Sequence, residues 1–202
     1  MGDFLFIYFK EEMKNIAIFG SGAGTNAEKI IEYFSHHPTI KVALVVSNKH
    51  EAGILKVALN NDIPSVVVNR GDFYSTDKLI ILMKEKEIDL IVLAGFLWMI
   101  PENILKNYPD KLLNIHPALL PEFGGKGMYG MKVHEQVHQS GKLKTGISIH
   151  KVNEHYDEGE IVFQTTCDID SSDTPASIAT KVQQLEHHYY PIIIERVMSD
   201  EL

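Results

Sequence analysis

The chain has 202 residues, of which 45% are hydrophobic, and a formal net charge of −8. This length and apolar content suit one compact domain with a substantial core. The acidic balance argues against a broad nucleic-acid interface, which normally needs a basic face, although a few backbone amides can still bind a small anion locally.

The cysteine content and the apolar runs bear on location. The single cysteine, Cys167, excludes an internal disulfide and favours a cytoplasmic setting. The segment FLFIYF near the N-terminus is shorter than a signal-peptide core of about 7–15 residues, and no other run approaches the roughly 18 apolar residues of a membrane span. We therefore expect no membrane association. A clean strand pattern begins after Met13, so residues 1–12 are predicted to be an N-terminal extension and 13–202 a single domain.

Short apolar runs alternate with helical segments along most of the chain. The predicted strands cover 14–19, 41–46, 64–68, 88–95 and 111–115, and the predicted helices between them cover 25–35, 51–61, 75–86 and 101–107. Segments 144–152 and 159–169 lie close enough for an antiparallel hairpin, and a last helix covers about 174–197. Because the first five runs lack polar alternation, both faces of their sheet should be covered. The sequence therefore predicts an α/β fold: a Rossmann-like, mostly parallel sheet with helices on both faces and an antiparallel hairpin near the C-terminal end.

The glycine-rich segment FGSGAGTNAEKI (19–30) joins the first predicted strand to the first helix. Glycines let backbone N–H groups converge, and a helix N-terminus adds partial positive charge, so the segment is suited to hold a phosphate. Its spacing (Gly20, Gly22, Gly24) differs from the dinucleotide pattern, and the second strand lacks a terminal acid for a ribose. We predict binding of a single phosphate. The alternative is a glycine turn that serves only helix–sheet packing.

A polar cluster follows the fifth strand, in LLNIHPALLPEFGG (112–125). Ligands of an open parallel sheet gather beyond the carboxyl ends of its strands, where Asn114, His116 and the glycine segment are all expected. An amide can donate to a developing oxyanion, and an imidazole can donate or accept a proton. Such an imidazole usually needs an orienting carboxylate. The segment NEHYDEGEIV (153–162) offers Glu154, Asp157, Glu158 and Glu160, while a capping asparagine and a loop histidine remain the alternative.

Two further features invite a functional interpretation. HEQVH (134–138) matches the zincin pattern, which places two imidazoles on one helix face, but the chain has ten histidines and no third ligand follows at the expected spacing. We expect a polar helix face there and no metal. Lys181 could assist a phosphate, although a solvated helix lysine is the default expectation.

The motifs IAIFGSGAGTN, VVSNK, VLAGF, LLNIHPALLP, the DEG turn and QLEHHYYP occur in this order along the chain. In this order they resemble the glycinamide ribonucleotide formyltransferases, a family of folate-dependent formyltransferases, over about residues 14–198. The resemblance implies a catalytic trio of Asn114, His116 and Asp157. It implies ribonucleotide contacts from Gly24, Thr25, Asn26, Gln183 and Glu186. It also implies a folate pocket formed by Leu97, Trp98, Met99, Ile100, Asn114, Asn153, Glu154, His155, Tyr156 and Asp157.

The resemblance further implies a reaction. The amine of glycinamide ribonucleotide would attack the formyl carbon of the co-substrate 10-formyltetrahydrofolate, in purine biosynthesis, without a metal or a covalent enzyme adduct. Protonated His116 and the Asn114 amide would stabilise the tetrahedral oxyanion, and Asp157 would keep His116 charged and help move the proton. The expected partners are these small molecules and no nucleic acid, and the expected state is a monomer or homodimer. A formyltetrahydrofolate deformylase, another amine formyltransferase, a nucleotide-binding oxidoreductase and a non-catalytic phosphate-binding module are the alternatives.

Three features depart from the commoner family pattern. Trp98 stands where many members have arginine, and Thr76 stands where many place an arginine near the folate tail. The segment after His116 is several residues longer than usual, and we expect residues 124–133 to reshape the lid over the active site.

Overall fold

A computed structural model describes residues 12–202. Its strands are β1 (Lys14–Phe19), β2 (Ile40–Ser47), β3 (Ser65–Val67), β4 (Ile88–Leu93), β5 (Leu112–His116), β6 (Lys144–Lys151) and β7 (Ile161–Asp168). Its helices are α1 (Thr25–Phe34), α2 (Gly53–Asn60), α3 (Arg70–Ser75), α4 (Lys78–Glu85), α5 (Glu102–Asn107), α6 (Met131–Gln139) and α7 (Pro175–Met198). Apart from its last residue, the predicted N-terminal extension lies outside the described residues.

The strands form one sheet in the order β3-β2-β1-β4-β5-β6-β7. The first five strands run parallel, β6 pairs antiparallel with β5, and β7 pairs antiparallel with β6. The predicted fold class is therefore confirmed, including the hairpin near the C-terminal end. In this order the chain winds outward from β1 in one direction and from β4 in the other. The crevice beyond the carboxyl ends of β1 and β4 is the place where such sheets bind ligands.

Alternate residues of the central strands supply two hydrophobic clusters. In β1, Ile16 and Ile18 join the cluster that includes residues of α1, α2, α6 and α7, whereas Ala17 and Phe19 join the cluster that includes residues of α3, α4 and α5. All four side chains are fully buried. A strand covered on both faces must be apolar at every position, which explains the missing polar alternation.

The predicted helix over 75–86 is wrong in its first part. The structure has α3 before Thr76 and α4 after it, because Thr76 has extended backbone (φ −137°, ψ 162°). The start of α3 is set by Asn69, whose side chain accepts a hydrogen bond from the backbone N–H of Asp72 at 2.9 Å. This cap was available in the sequence NRGD and is the signal that the apolar periodicity concealed.

The longest helix of the described region is α7, and it begins at a capping box. Thr174 accepts from the backbone N–H of Ser177, and the Ser177 side chain accepts in return from the backbone N–H of Thr174. Across residues 12–202, no helix combines the length and apolarity that a membrane crossing would need.

Candidate active site

A cavity of about 360 Å³ opens at the carboxyl edge of the sheet, beside the ends of β1, β4 and β5. Its walls come from the glycine segment, the segment after β4, the turn after β6, the loop before α6, and single residues of α6 and α7. The predicted site residues that border it are Gly24, Thr25, Asn26, Leu97, Trp98, Met99, Ile100, Asn114, Asn153, His155, Tyr156, Asp157 and Glu186. His116, Gln183 and Glu154 do not border it.

The glycine segment forms one end of the cavity. Gly24 precedes α1 with φ +88°, and an added Cβ would lie 2.7 Å from the Ile54 Cα, so this position requires glycine for both conformation and space. No side chain caps the N-terminus of α1. Its first backbone N–H groups are therefore available to an anion, and the helix dipole favours negative charge there.

Two residues of α7 contact the beginning of α1, and one of them, Glu186, borders the cavity. Glu186 Oε2 accepts a hydrogen bond from Asn26 Nδ2 at 3.0 Å, and Gln183 Nε2 donates to Thr25 Oγ1 at 3.3 Å. Burial raises the pKa of the Glu186 carboxyl to about 7, and the Asn26 hydrogen bond opposes that shift only partly. This carboxyl is therefore poised between its acid and base forms near neutral pH.

Lys181 takes no part in this end of the cavity. Its Nζ lies 2.9 Å from Asp170 Oδ2 and also pairs with Asp173, at the beginning of α7. These two carboxylates raise the pKa of the lysine. The expected alternative was a solvated helix lysine, and the structure shows a lysine held in ion pairs away from the phosphate end.

Asn114 is held by a histidine that the sequence analysis missed. The register of β5 and β6 places Asn114 opposite His150, and the two side chains meet with Asn114 Nδ2 3.0 Å from His150 Nε2. His150 Nδ1 lies 2.8 Å from the Lys151 carbonyl oxygen and must donate to it, since a carbonyl only accepts. In the neutral ring, Nε2 therefore accepts from Asn114, which fixes that amide and leaves its second N–H for the cavity. In the protonated ring, Nε2 carries a proton and faces Asp157 Oδ1 as a donor.

His116 lies beneath the cavity wall and its side chain is only 4% exposed. Nε2 donates to the backbone carbonyl of Phe123 at 2.8 Å, and Nδ1 lies 3.5 Å from Asp157 Oδ2. Asp157 Oδ2 also accepts from the backbone N–H of Gly125 at 2.8 Å, and its Oδ1 lies 3.6 Å from His150 Nε2. Of the four carboxylates considered in the sequence, Asp157 is the one that meets the histidine.

Burial and charge act against each other in this pair. Burial lowers the pKa of His116, whereas the Asp157 charge and the Phe123 carbonyl act to raise it, and the net direction is downward. Burial acts to raise the pKa of Asp157, but the two imidazoles and the Gly125 N–H outweigh it, so this pKa lies below its usual range. Asp157 is thus an ionised carboxylate that favours a second proton on His116.

The segment after β4 forms a further wall of the cavity, next to the glycine segment, and is stiffened by its neighbours. The backbone N–H of Leu97 donates to Ser21 Oγ at 3.0 Å, and the Met99 carbonyl accepts from Tyr74 Oη at 3.1 Å. Trp98 packs with Phe73, Tyr74 and Phe96, and the Arg70 guanidinium lies 5.1 Å from its ring centroid. The tryptophan found at this position is therefore accommodated in an aromatic cluster.

The structure also describes the long loop before α6 and the HEQVH segment that follows it. Met128, Tyr129 and Gly130 of the long loop border the cavity, while Thr76 does not. His134 is buried on α6, whereas His138 is exposed, so the two imidazoles do not share one environment. Within residues 12–202, no group of three or more histidine, cysteine or acidic side chains is arranged to hold a metal ion.

Comparisons with known proteins place this arrangement in context. The family model described as "Formyl transferase" matches residues 14–194. A chloroplastic phosphoribosylglycinamide formyltransferase of Arabidopsis thaliana is 38% identical over 195 residues, which are 94% of this chain and 67% of that protein. The phosphoribosylglycinamide formyltransferase of Bacillus subtilis is 32% identical over 191 residues, 92% of this chain and 95% of that protein. The crystal structure of the Anaplasma phagocytophilum phosphoribosylglycinamide formyltransferase is similar with a TM-score of 0.85 at 30% identity, covering 94% of this chain and 88% of that one.

Proposed function

This chain belongs to the formyl transferase family, and on that premise we propose that it transfers a formyl group from a folate donor to the amine of glycinamide ribonucleotide. The relatives named above are formyltransferases of phosphoribosylglycinamide, which is the same compound. The donor we propose is 10-formyltetrahydrofolate, used as a co-substrate.

One observation carries the proposal: a phosphate-suited region and an aromatic-lined region share one cavity, which Asn114 also borders. The uncapped N-terminus of α1 and Glu186 suit the phosphate and ribose of the amine substrate. The segment 97–100 and the turn 153–157 suit a flat heterocycle. The two substrates would then meet at Asn114, next to His116 and Asp157.

We propose the following roles for the trio. As the amine attacks the formyl carbon, negative charge develops on the formyl oxygen, and the free N–H of Asn114 donates to it. The Nε2–H of His116 donates to the same oxygen once the substrate displaces the Phe123 carbonyl that holds it in this structure. Donors that are already oriented in a water-poor site each lower such a barrier by about 3–4 kcal/mol.

Proton movement completes the reaction. The attacking amine loses one proton and the departing folate nitrogen gains one, so no external acid or base is consumed. Asp157, ionised and 3.5 Å from His116 Nδ1, favours the charged imidazole that stabilises the oxyanion. We propose that Asp157 also relays the proton through a water. A cytoplasmic location, the absence of nucleic-acid binding, and a monomeric or homodimeric state stay predictions.

The test is the release of deformylated folate, followed by absorbance, from a 10-formyl folate with and without glycinamide ribonucleotide. Turnover that requires the amine substrate and falls strongly in His116→Ala would support both the reaction and the role of the histidine. Release without the amine would indicate a deformylase. Binding of both compounds without turnover would instead indicate a non-catalytic module.

A further inference from the structure

His134, the first histidine of the HEQVH pattern, is buried beside the cavity but has no role in the mechanism proposed for the trio. Its side chain faces inward from α6, and the residue is only 7% exposed. It borders the cavity. Its Nδ1 is fully buried and has no hydrogen-bond partner among the described residues. Buried polar atoms without partners are uncommon in proteins, and each calls for an explanation.

His134 borders the same cavity as Glu186 of α7 and as Asn114 and Asp157 of the trio. Helix α6 packs against α7, which carries Glu186 at the phosphate end. The α6 helix therefore brings His134 to a cavity that residues of the trio also border. A group bound beside His134 would share this cavity with both the ribose and the reacting centre.

The protonation state of His134 follows from its burial. Burial is the larger cause that lowers its pKa, and the charge of His116 adds to it, so the ring is neutral at pH 7. A neutral imidazole has one N–H and one lone pair. A buried acceptor without a partner is tolerated somewhat better than a buried donor. The lone pair therefore belongs on the enclosed Nδ1, which leaves the N–H on Nε2, the nitrogen that the cavity can reach.

We propose that the Nε2–H of His134 donates a hydrogen bond to the glycinamide carbonyl oxygen of the amine substrate. This inference rests on the proposed function. The carbon of the glycinamide carbonyl lies two bonds from the attacking amine and joins it to the ribose, and His134 borders the same cavity as Glu186 and the trio residues Asn114 and Asp157. A donor fixed on a helix would aim the amine at the formyl carbon and would select amides over amines without a carbonyl. His134 is thus a substrate-binding residue and not a proton acceptor.

Two substitutions separate this role from others. In His134→Gln the side-chain amide nitrogen occupies about the place of Nε2 and can still donate, whereas His134→Leu fills the space without a donor. Losing a hydrogen bond that a site is built to make typically costs about 10- to 100-fold in affinity. We expect His134→Leu to raise the KM for glycinamide ribonucleotide by about that factor, with the KM for the folate donor within about twofold of wild type. We expect His134→Gln to recover most of the loss.

The exposed His138 on the same helix provides the matched control. His138→Leu and His138→Gln should leave both KM values unchanged. Three results would overturn the inference: a wild-type KM in His134→Leu, a rise in the folate KM in place of the amine KM, or a His134→Gln variant as impaired as His134→Leu and rescued by added imidazole. The last result would assign proton transfer to the ring.

A measurement on the wild-type protein covers the case in which His134→Leu does not fold. With ¹⁵N-labelled histidine, and with His134→Gln to assign the signals, glycinamide ribonucleotide alone should shift the Nε2–H resonance of His134 downfield. An unchanged resonance at saturating ligand would refute the hydrogen bond. If wild type binds the ligand but transfers no formyl group, the proposed function fails while the binding role of His134 is still decided.

Discussion

The raised pKa of Glu186 makes the stability of the protein depend on pH in a direction that can be calculated. An acid whose pKa is higher in the folded than in the unfolded state binds more protons when folded, so the free energy of unfolding falls as pH rises. For Glu186 the pKa rises from 4.5 to about 7, because the carboxyl is removed from water beside the glycine segment. The loss therefore occurs between about pH 4.5 and pH 7.

The size of the effect follows from the shift. Each pKa unit corresponds to about 1.4 kcal/mol, so a shift from 4.5 to about 7 gives an upper value near 3.4 kcal/mol. Glu186 keeps partial solvent exposure, which screens part of this, and we expect about 2 kcal/mol. Glu186→Gln keeps an oxygen that accepts from Asn26 and removes the titration. Its stability relative to wild type should be about +0.8 kcal/mol at pH 5, where unfolded glutamate is already mostly ionised, and should reach about +2 kcal/mol at pH 8.

Urea unfolding of both proteins from pH 5 to pH 8 measures this difference directly, because the titration of all other groups cancels in the comparison. Glu135→Gln, a change at an exposed glutamate of α6, serves as the control and should follow the wild-type curve. A difference between Glu186→Gln and wild type that stays constant over this pH range would refute the reasoning. So would a difference that grows as pH falls.

Three further predictions concern the cavity and its support. Asn114→Ala should lower kcat by about 100- to 1000-fold while the KM values change little, because its N–H acts on the oxyanion and not on the bound substrates; a larger rise in KM than fall in kcat would contradict this. Gly24→Ala should lose at least about 2 kcal/mol of stability in urea unfolding because of the positive φ and the contact with Ile54, whereas Gly22→Ala, whose Cβ would meet nothing within 4 Å, should lose much less. Tyr190→Phe should cost about 1–2 kcal/mol, since this fully buried hydroxyl lies 3.0 Å and 3.2 Å from the Leu93 and Leu113 carbonyl oxygens that it bonds; equal stability of the two proteins would show that these carbonyls need no donor.

The parts of the fold that follow apolar periodicity were predicted from the sequence, whereas a helix boundary inside a continuous apolar pattern was missed. Branched apolar runs identified the strands because every face of a covered strand must be apolar. The break at Thr76 was missed because the apolar spacing of 79–83 extends a helical pattern backward. In the structure Thr76 has extended backbone, and its hydroxyl donates to the Asp72 carbonyl oxygen at the end of α3. Periodicity does not contain that information.

The same distinction applies to the residues of the site, some of which could be predicted from the sequence and some of which could not. Asn114, Asp157 and Glu186 were named from motifs, and the structure brings all three to one cavity. His150 was missed although its signal was present, since pairing the GISIHKV strand beside LLNIH places it opposite Asn114. The enclosure of His134 and the contact between His116 and the Phe123 carbonyl could not be predicted, because both depend on how the long loop folds over the sheet edge.

The turn between β6 and β7 links packing to the chemistry of the trio. Asp157 has a positive φ of 57°, a conformation that aspartate tolerates better than most residues. Two residues later, a Cβ on Gly159 would lie 1.7 Å from the Lys151 carbonyl oxygen and 3.3 Å from His150 Nδ1. The turn can therefore fold back against β6 only with glycine at this position. Asp157 lies between His116 and His150 in this turn, so the glycine of the DEG turn contributes to the position of the carboxylate together with the hydrogen bond from Gly125.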